Sequence, residues 1–380
     1  MSPPLARAEI LHLRHRVDPP IPTTMGPVRN RPALLLRLED ADGAEGWGEI
    51  WCNFPPEGDL HRARLAANLL PAALAGLNAD SERPFDTVRH RLHRIALQAG
   101  EPGPASQIAA GADIALHDLR ARRAGLPLAA ALGGTARPVP AYARGISPDR
   151  WEAQVARMSA LGHTRFKLRI GFGAGDGLPQ AADLAAALPA GHALMLDANQ
   201  AWDFATARDR LDRLAALAPR WLEEPMPVDA PAADWAALAA AAPMPLAGGE
   251  NMVGGTAFDA AIALRALGVL QPDICKWGGL SGVLPVARAA TAAGLTYCPH
   301  FLGGGVGLVA SAHLLAAVGG DGLLEIDGSE NPLLAALSGR GLGLVNGAFP
   351  LPEGPGLGYV PDIGSVADML VSRQEVVPCA

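Results

Sequence analysis

Six apolar runs in this chain close on an acid or a histidine, at nearly constant spacing. Asp197 is followed by Glu223 after 26 residues, Glu250 after 27, Asp273 after 23, His300 after 27 and Glu325 after 25. That interval is the length of one strand–helix unit. A short buried strand ending on a polar side chain is what a barrel strand looks like where it delivers a group to the C-terminal face. The run LMLDANQ (194–200) shows the pattern most clearly. Six such events in register predict a (β/α) barrel with these side chains around one mouth.

Residues 1–130 read differently. Strands at Glu9–Arg14, Ala33–Asp40 and in GWGEIWC form a predicted antiparallel meander. The stretch VDPPIPTTMGPVRNRP, rich in Pro and Thr, reads as a long loop between the first two strands. Helical segments follow, the last closed by Gly125. After the Gly/Pro linker LGGTARPVP, strands and Ala-rich helices alternate through 131–345. Strands are placed near Val139–Ala143, Arg165–Ile170, Ala193–Asp197, Trp221–Glu223, Leu246–Gly249, Val269–Asp273, Leu295–Pro299 and Gly322–Ile326. Residues 346–380 carry strand and turn signals but no barrel unit, and are expected to return to the first domain. The fold class is thus α/β: a (β/α)8-type, modified TIM barrel with an N-terminal α+β capping domain completed by the tail.

The formal net charge is -7 and there is no basic run, which argues against a nucleic-acid partner. No apolar run reaches the length of a membrane span and no leader pattern opens the chain. Cys52, Cys275, Cys298 and Cys379 are scattered without a metal or disulfide spacing. A soluble cytoplasmic protein is expected. Lysine usage is more telling. Of 31 basic residues only two, Lys167 and Lys276, are lysines, and both fall at predicted strand ends. Arginine cannot replace lysine where a proton must move.

Three hard oxygen ligands on successive strand ends, Asp197, Glu223 and Glu250, suit one Mg²⁺. The motifs resemble the enolase superfamily, specifically its mandelate racemase-like branch (the mandelate racemase/muconate lactonizing enzyme family). FKLRIG (166–171) is similar to that family's Lys-x-Lys motif. LDANQAW (196–202), WLEEP (221–225) and GGEN (248–251) resemble its metal-ligand motifs. QPDICKWGG (271–279) with PHF (299–301) resembles its Asp–His dyad, and LEIDGSENPL (324–333) its eighth-strand Glu. The resemblance covers nearly the whole chain. It implies a small carboxylate substrate on Mg²⁺, removal of its α-proton, and a metal-stabilised enediolate. It also implies a symmetric homo-oligomer.

Within that scheme His300 is the expected base, with Asp273 holding one ring nitrogen. Lys167 would face the substrate carboxylate. Arg169 stands where the family has a second, proton-transferring Lys, and an arginine stays protonated. One base favours β-elimination of water, an acid-sugar dehydratase, over a two-base racemase or epimerase. A barrel that binds a ligand without turnover is a remote alternative. Glu325 is expected to bind the substrate carboxylate or act as an electrophilic donor, and Asn199 to bind a substrate hydroxyl or orient a metal ligand. Lys276 has no assigned role, and His313 is expected to be structural. The run Gly303–Gly305 is a candidate anion cradle. Substrate contacts are expected from Tyr142, Trp51, Asn53 and Phe54, with His15, Arg16, Thr23, Thr24 and Arg144 as further candidates.

Overall fold

The computed structural model describes residues 2–23 and 25–379. Three strands, β1 (Leu5–Ile21), β2 (Val28–Asp40) and β3 (Glu45–Ile50), precede helices α1 (Gly58–Ala73), α2 (Pro84–Ala99), α3 (Pro102–Arg123) and the single turn α4 (Leu128–Ala131). The barrel follows as β4 (Val139–Ile146), α5 (Trp151–Ala160), β5 (Arg165–Arg169), α6 (Leu178–Ala187), β6 (Ala193–Asp197), α7 (Phe204–Ala215), β7 (Leu222–Glu223) and α8 (Ala232–Ala241). It continues through β8 (Leu246–Gly248), α9 (Gly255–Leu264), β9 (Val269–Leu270), α10 (Gly279–Ala292), β10 (Thr296–Tyr297), α11 (Gly305–Val318) and β11 (Leu324–Asp327). A short α12 (Pro332–Ala336), β12 (Ala348–Phe349) and β13 (Leu370–Val376) end the chain.

The expected Pro-rich loop is instead a continuation of the hairpin. β1 runs on to Ile21 and β2 starts at Val28, with Ile21 paired to Val28. Pro19 and Pro20 fall in the register gap between Arg16 and Ile21, where no ladder N–H is required. Pro32 lies outside the stretch of β2 that pairs with β3. The prolines therefore lengthen an unpaired edge and do not break the strand.

The capping sheet runs β13-β1-β2-β3, so the tail strand lies antiparallel against β1, with Ala8 opposite Val376. The second sheet runs β10-β9-β8-β7-β6-β5-β4-β11, all parallel, with β12 antiparallel on β4. Its ends curl together. The Leu323 N–H reaches Cys298 Sγ at 3.3 Å, and a Cβ at Gly322 would strike the Tyr297 carbonyl. Strand side chains alternate between faces. Phe166, Leu168, Leu194, Leu196, Leu324 and Ile326 pack outward in the main core. Tyr142, Met195, Trp221, Ala247, Val269, Cys298 and Leu323 fill an inner layer. One alternation further along each strand stand Arg144, Asp197 and Glu325.

Two capping-domain carboxylates clamp the domains together. Asp113, on the buried face of α3, accepts N–H bonds from Leu280 (2.6 Å) and Ser281 (3.0 Å) at the start of α10. Glu49, at the end of β3, accepts from Gly304 and from Gly307 (2.8 Å) at the start of α11. Each places an anion at a positive helix end.

Candidate active site

A cavity of about 300 Å³ opens at the C-terminal ends of the barrel strands. Of the expected site residues, Lys167, Arg169, Asp197, Asn199, Glu250, Lys276, His300 and Glu325 line it. Trp51, Phe54, Thr23 and Arg144 do so as well. Both lysines of the chain therefore face the same space. Glu223 and Asp273 lie one layer behind the wall, both buried.

His300 Nδ1 is 2.8 Å from Asp273 Oδ2, and Asp273 is held in turn by the N–H groups of Cys275 (2.8 Å) and Lys276 (3.2 Å). That pairing leaves Nε2 pointing into the mouth, where it meets Glu250 and lies 3.8 Å from Glu325. Burial lowers the imidazole's proton affinity, but Glu250, Glu325 and Asp273 outweigh it and carry the pKa up to about 10. Lys167 is buried among carboxylates. It pairs with Glu223, with Glu325 at 2.7 Å and with Asp197 at 3.4 Å. Burial would discharge its ammonium, yet those acids hold it well above the usual lysine range. Beneath it the Tyr142 ring lies 5.6 Å from Nζ.

Asp197, Glu223 and Glu250 lie at or just beyond the ends of β6, β7 and β8. Among the described residues no three His, Cys, Asp or Glu side chains converge as a finished metal-ligand set. Lys167 engages Glu223 and His300 engages Glu250 instead. The donor set nevertheless fits a hard dication. All three are carboxylates, which Mg²⁺ prefers, and among the described residues Asp197, Glu223, Glu250 and Glu325 share only Lys167 and His300 as directly paired cations. Asn199 N–H and Nδ2 bond the two oxygens of Asp197, at 2.9 and 3.2 Å, and aim it. Gln271 Nε2 and Trp221 Nε1 both donate to Glu223 Oε2, at 2.6 and 3.1 Å.

Several expected contacts fall elsewhere. Tyr142 does not line the cavity, because its ring packs edge-on against Trp221 (5.3 Å, 86°) in the inner layer. Asn53 is turned away and donates to the Leu302 carbonyl at 2.8 Å. His15 and Arg16 are not on the cavity wall, and Thr24 lies outside the described residues. The glycine run does hold an anion, but that anion is the chain's own Glu49. A Cβ at Gly303 would collide with its carboxylate. His313 is buried in α11, accepting from Ala129 N–H at 3.2 Å, and burial lowers it to about 4. Lys276 donates to Asn251 Oδ1 (2.8 Å) and sits 5.0 Å over the Trp51 ring, so it shapes the wall beside Glu250.

Sequence reasoning missed Arg31, Asn251, Leu302 and Ser329, together with Ile21, Met25 and Val28 of the hairpin, all on the cavity wall. It also missed Asp327, which stands beside them. Asp327 had a signal, since it continues the inward face of β11 by one alternation beyond Glu325. Arg31 had none. It reaches Ser329 and, at 3.2 Å, Asp327 from the other domain.

The fold and the motifs meet in comparisons with known proteins. Residues 6–133 match the model for the N-terminal domain of the mandelate racemase / muconate lactonizing enzyme family, and 150–365 match the Enolase C-terminal domain-like model. The chain belongs to that family of the enolase superfamily. A mandelate racemase/muconate lactonizing enzyme structure from Bordetella bronchiseptica RB50 is 48% identical, over 97% of this chain and 100% of its own, with TM-score 0.86. A racemase from Streptomyces coelicolor A3(2) with bound magnesium is 25% identical over 97% and 100%, with TM-score 0.83. D-galactarolactone cycloisomerase of Agrobacterium fabrum is 32% identical over 91% of this chain and 93% of its own. Arabinonate dehydratase of Saccharolobus solfataricus is 25% identical over 86% and 87%.

Proposed function

We propose that this family member removes the α-proton of a small acid-sugar carboxylate and eliminates water from its β-carbon, with one Mg²⁺ held by Asp197, Glu223 and Glu250. The observation that carries this reading is the asymmetry of the mouth. A dyad-held imidazole stands on the β10 side. The β5 side offers Lys167, locked among acids, and a guanidinium. Burial, with help from Arg144 and Arg31, lowers Arg169 to about 10, which leaves it charged at neutral pH. A racemase needs a base on each face, and this site has one.

Bound Mg²⁺ supplies positive charge for the substrate carboxylate and the enediolate. His300 Nε2 accepts the α-proton while Asp273 keeps Nδ1 protonated. Lys167 faces the charge that develops on the carboxylate oxygens, and Arg169 donates to oxygens on the opposite side. The imidazolium then returns the proton to the departing hydroxide, so the β C–O bond breaks as the enol forms. Tautomerisation gives the 2-keto acid. Glu250, the strongest pull on the His300 proton, would be engaged as a ligand when the cation is held, leaving His300 the freer base.

The dehydratase and cycloisomerase relatives support an elimination, since both names are consistent with loss of a β-oxygen. The cycloisomerase at 32% identity makes ring oxygen the second leaving group to test. Aldonic and aldaric acids and their lactones, incubated with Mg²⁺ in D₂O, separate the outcomes. A keto acid one water lighter supports dehydration, and a keto acid isomeric with a lactone means ring opening. Deuterium incorporated with inversion and no keto acid would replace elimination by epimerisation. His300→Asn is expected to abolish all exchange. Among the described residues no helix is long and apolar enough to cross a membrane. A cytoplasmic homo-oligomer completes the reading, and free Cys52, Cys275 and Cys298, all buried, support the compartment.

A further inference from the structure

Resting on the elimination reading, we propose that the substrate is a dicarboxylate, its far carboxylate bound by Arg31 and Arg144. These two guanidiniums come from β2 of the cap and from β4, and both line the cavity, with Arg169 of β5 beside them. One carboxylate serves them. Asp327 lies 3.2 Å from Arg31 and 3.7 Å from Arg144. Counting Arg169 beside them, three guanidiniums share this one directly paired carboxylate among the described residues.

The hydrogen-bond inventory points the same way. Arg31 and Arg169 are 6% and 8% exposed. Among the described residues Arg31 Nε, Arg144 Nε and Nη2, and Arg169 Nε and Nη2 are buried without a hydrogen-bond partner, Arg144 Nη2 having only the 3.7 Å ion pair with Asp327. Buried donors left unpaired are costly, and ionised ones more so. Arg144 Nε and Nη2, neither of them hydrogen-bonded, form the planar fork that suits a carboxylate. Ser329, bonded to Arg31 and to Asp327 Oδ1 (2.6 Å), fixes the far corner. The site thus has two anion poles. Lys167 and the strand-end carboxylates with their cation take the reacting carboxylate, and Arg31 and Arg144 take the other. A cavity of about 300 Å³ suits a short acid spanning both.

The test pairs each aldaric acid with the aldonic acid that differs only in carrying CH₂OH at the far carbon. With Mg²⁺-loaded wild-type protein, kcat/KM for the reactive diacid should exceed that of its partner by about 100-fold or more. Arg31→Gln and Arg144→Gln should erase most of that preference through the diacid KM and leave the monoacid nearly unchanged, and Arg31→Lys should restore part. Equal turnover of both acids by the wild type overturns the proposal, as does a variant that weakens both alike. Preference for an aldonic acid phosphorylated at the far carbon overturns it in favour of a phosphate ester. If no acid exchanges its α-proton, the elimination reading fails on its own. Calorimetric binding of the acid pairs to wild type and Arg31→Gln then decides the proposal, and a diacid that binds no tighter than its partner overturns it.

Discussion

Glu49→Gln probes the contact that sets the capping domain on the barrel. Glu49 is 2% exposed and spans the N-terminus of α11, whose first residues follow His300 closely. Its two oxygens accept from Gly304 and Gly307. Burial pushes its carboxyl up from 4.5 to about 7, against the pull of those N–H groups, with Asp273 adding to the rise. The folded pKa exceeds the unfolded one, so the folded state holds the proton more tightly. Stability from this group is fully present below pH 4.5 and is lost as pH rises through 7. A gap of 2.5 units corresponds to roughly 3 kcal/mol across that window. Glutamine cannot titrate, and its amide NH₂ faces one N–H, which costs about 1–3 kcal/mol at every pH. Wild type should therefore be the more stable protein near pH 5, and the gap should shrink by roughly 3 kcal/mol by pH 8, closing or reversing. Denaturant unfolding of both proteins at pH 5, 6, 7 and 8 measures it. A gap that widens with pH would mean that the helix N-terminus, and not burial, governs Glu49.

Three further outcomes are expected. Asp273→Asn should keep the fold but spoil the His300 tautomer, lowering kcat by roughly 10²–10⁴-fold with little change in KM; an unchanged kcat would remove the dyad from the mechanism. Arg169→Lys places a titratable amine on the second face, and should introduce deuterium exchange with inversion of configuration, seen by NMR in D₂O. Burial lowers His163 from 6.5 to about 4 and both ring nitrogens lack partners, so its contribution to stability is present above pH 6.5 and is lost as pH falls through 4. His163→Phe should flatten the acid limb of the unfolding curve by up to about 3 kcal/mol, and an unaltered limb would show that His163 is not what titrates there.

The barrel was legible because its strands are local objects. Each is a short apolar run closed by a polar group, and the spacing of Asp197, Glu223, Glu250, Asp273, His300 and Glu325 repeats the size of one structural unit. The scarcity of lysine pointed to Lys167 and Lys276, and both reach the cavity. The hairpin at 15–30 was not legible, since proline content argues for a loop unless it is known which edge of β1 and β2 goes unpaired. Tyr142 shows a related limit. It sits on the inward face, but the depth along the barrel axis decides between mouth and inner layer.

The sequence by itself determined the family, the order of the elements and which groups end the barrel strands, because those depend on neighbours a few residues apart and on short motifs. Only the tertiary structure decided how the charges are shared. Arg31 meets Ser329 across 298 positions, Glu49 meets Gly304 across 255, and Asp113 meets Leu280 across 167. Such pairings are set by how the capping domain closes on the barrel, and no local pattern encodes them. They determine that the glycine run is already filled by Glu49 and that three arginines are left facing the cavity with one carboxylate among them.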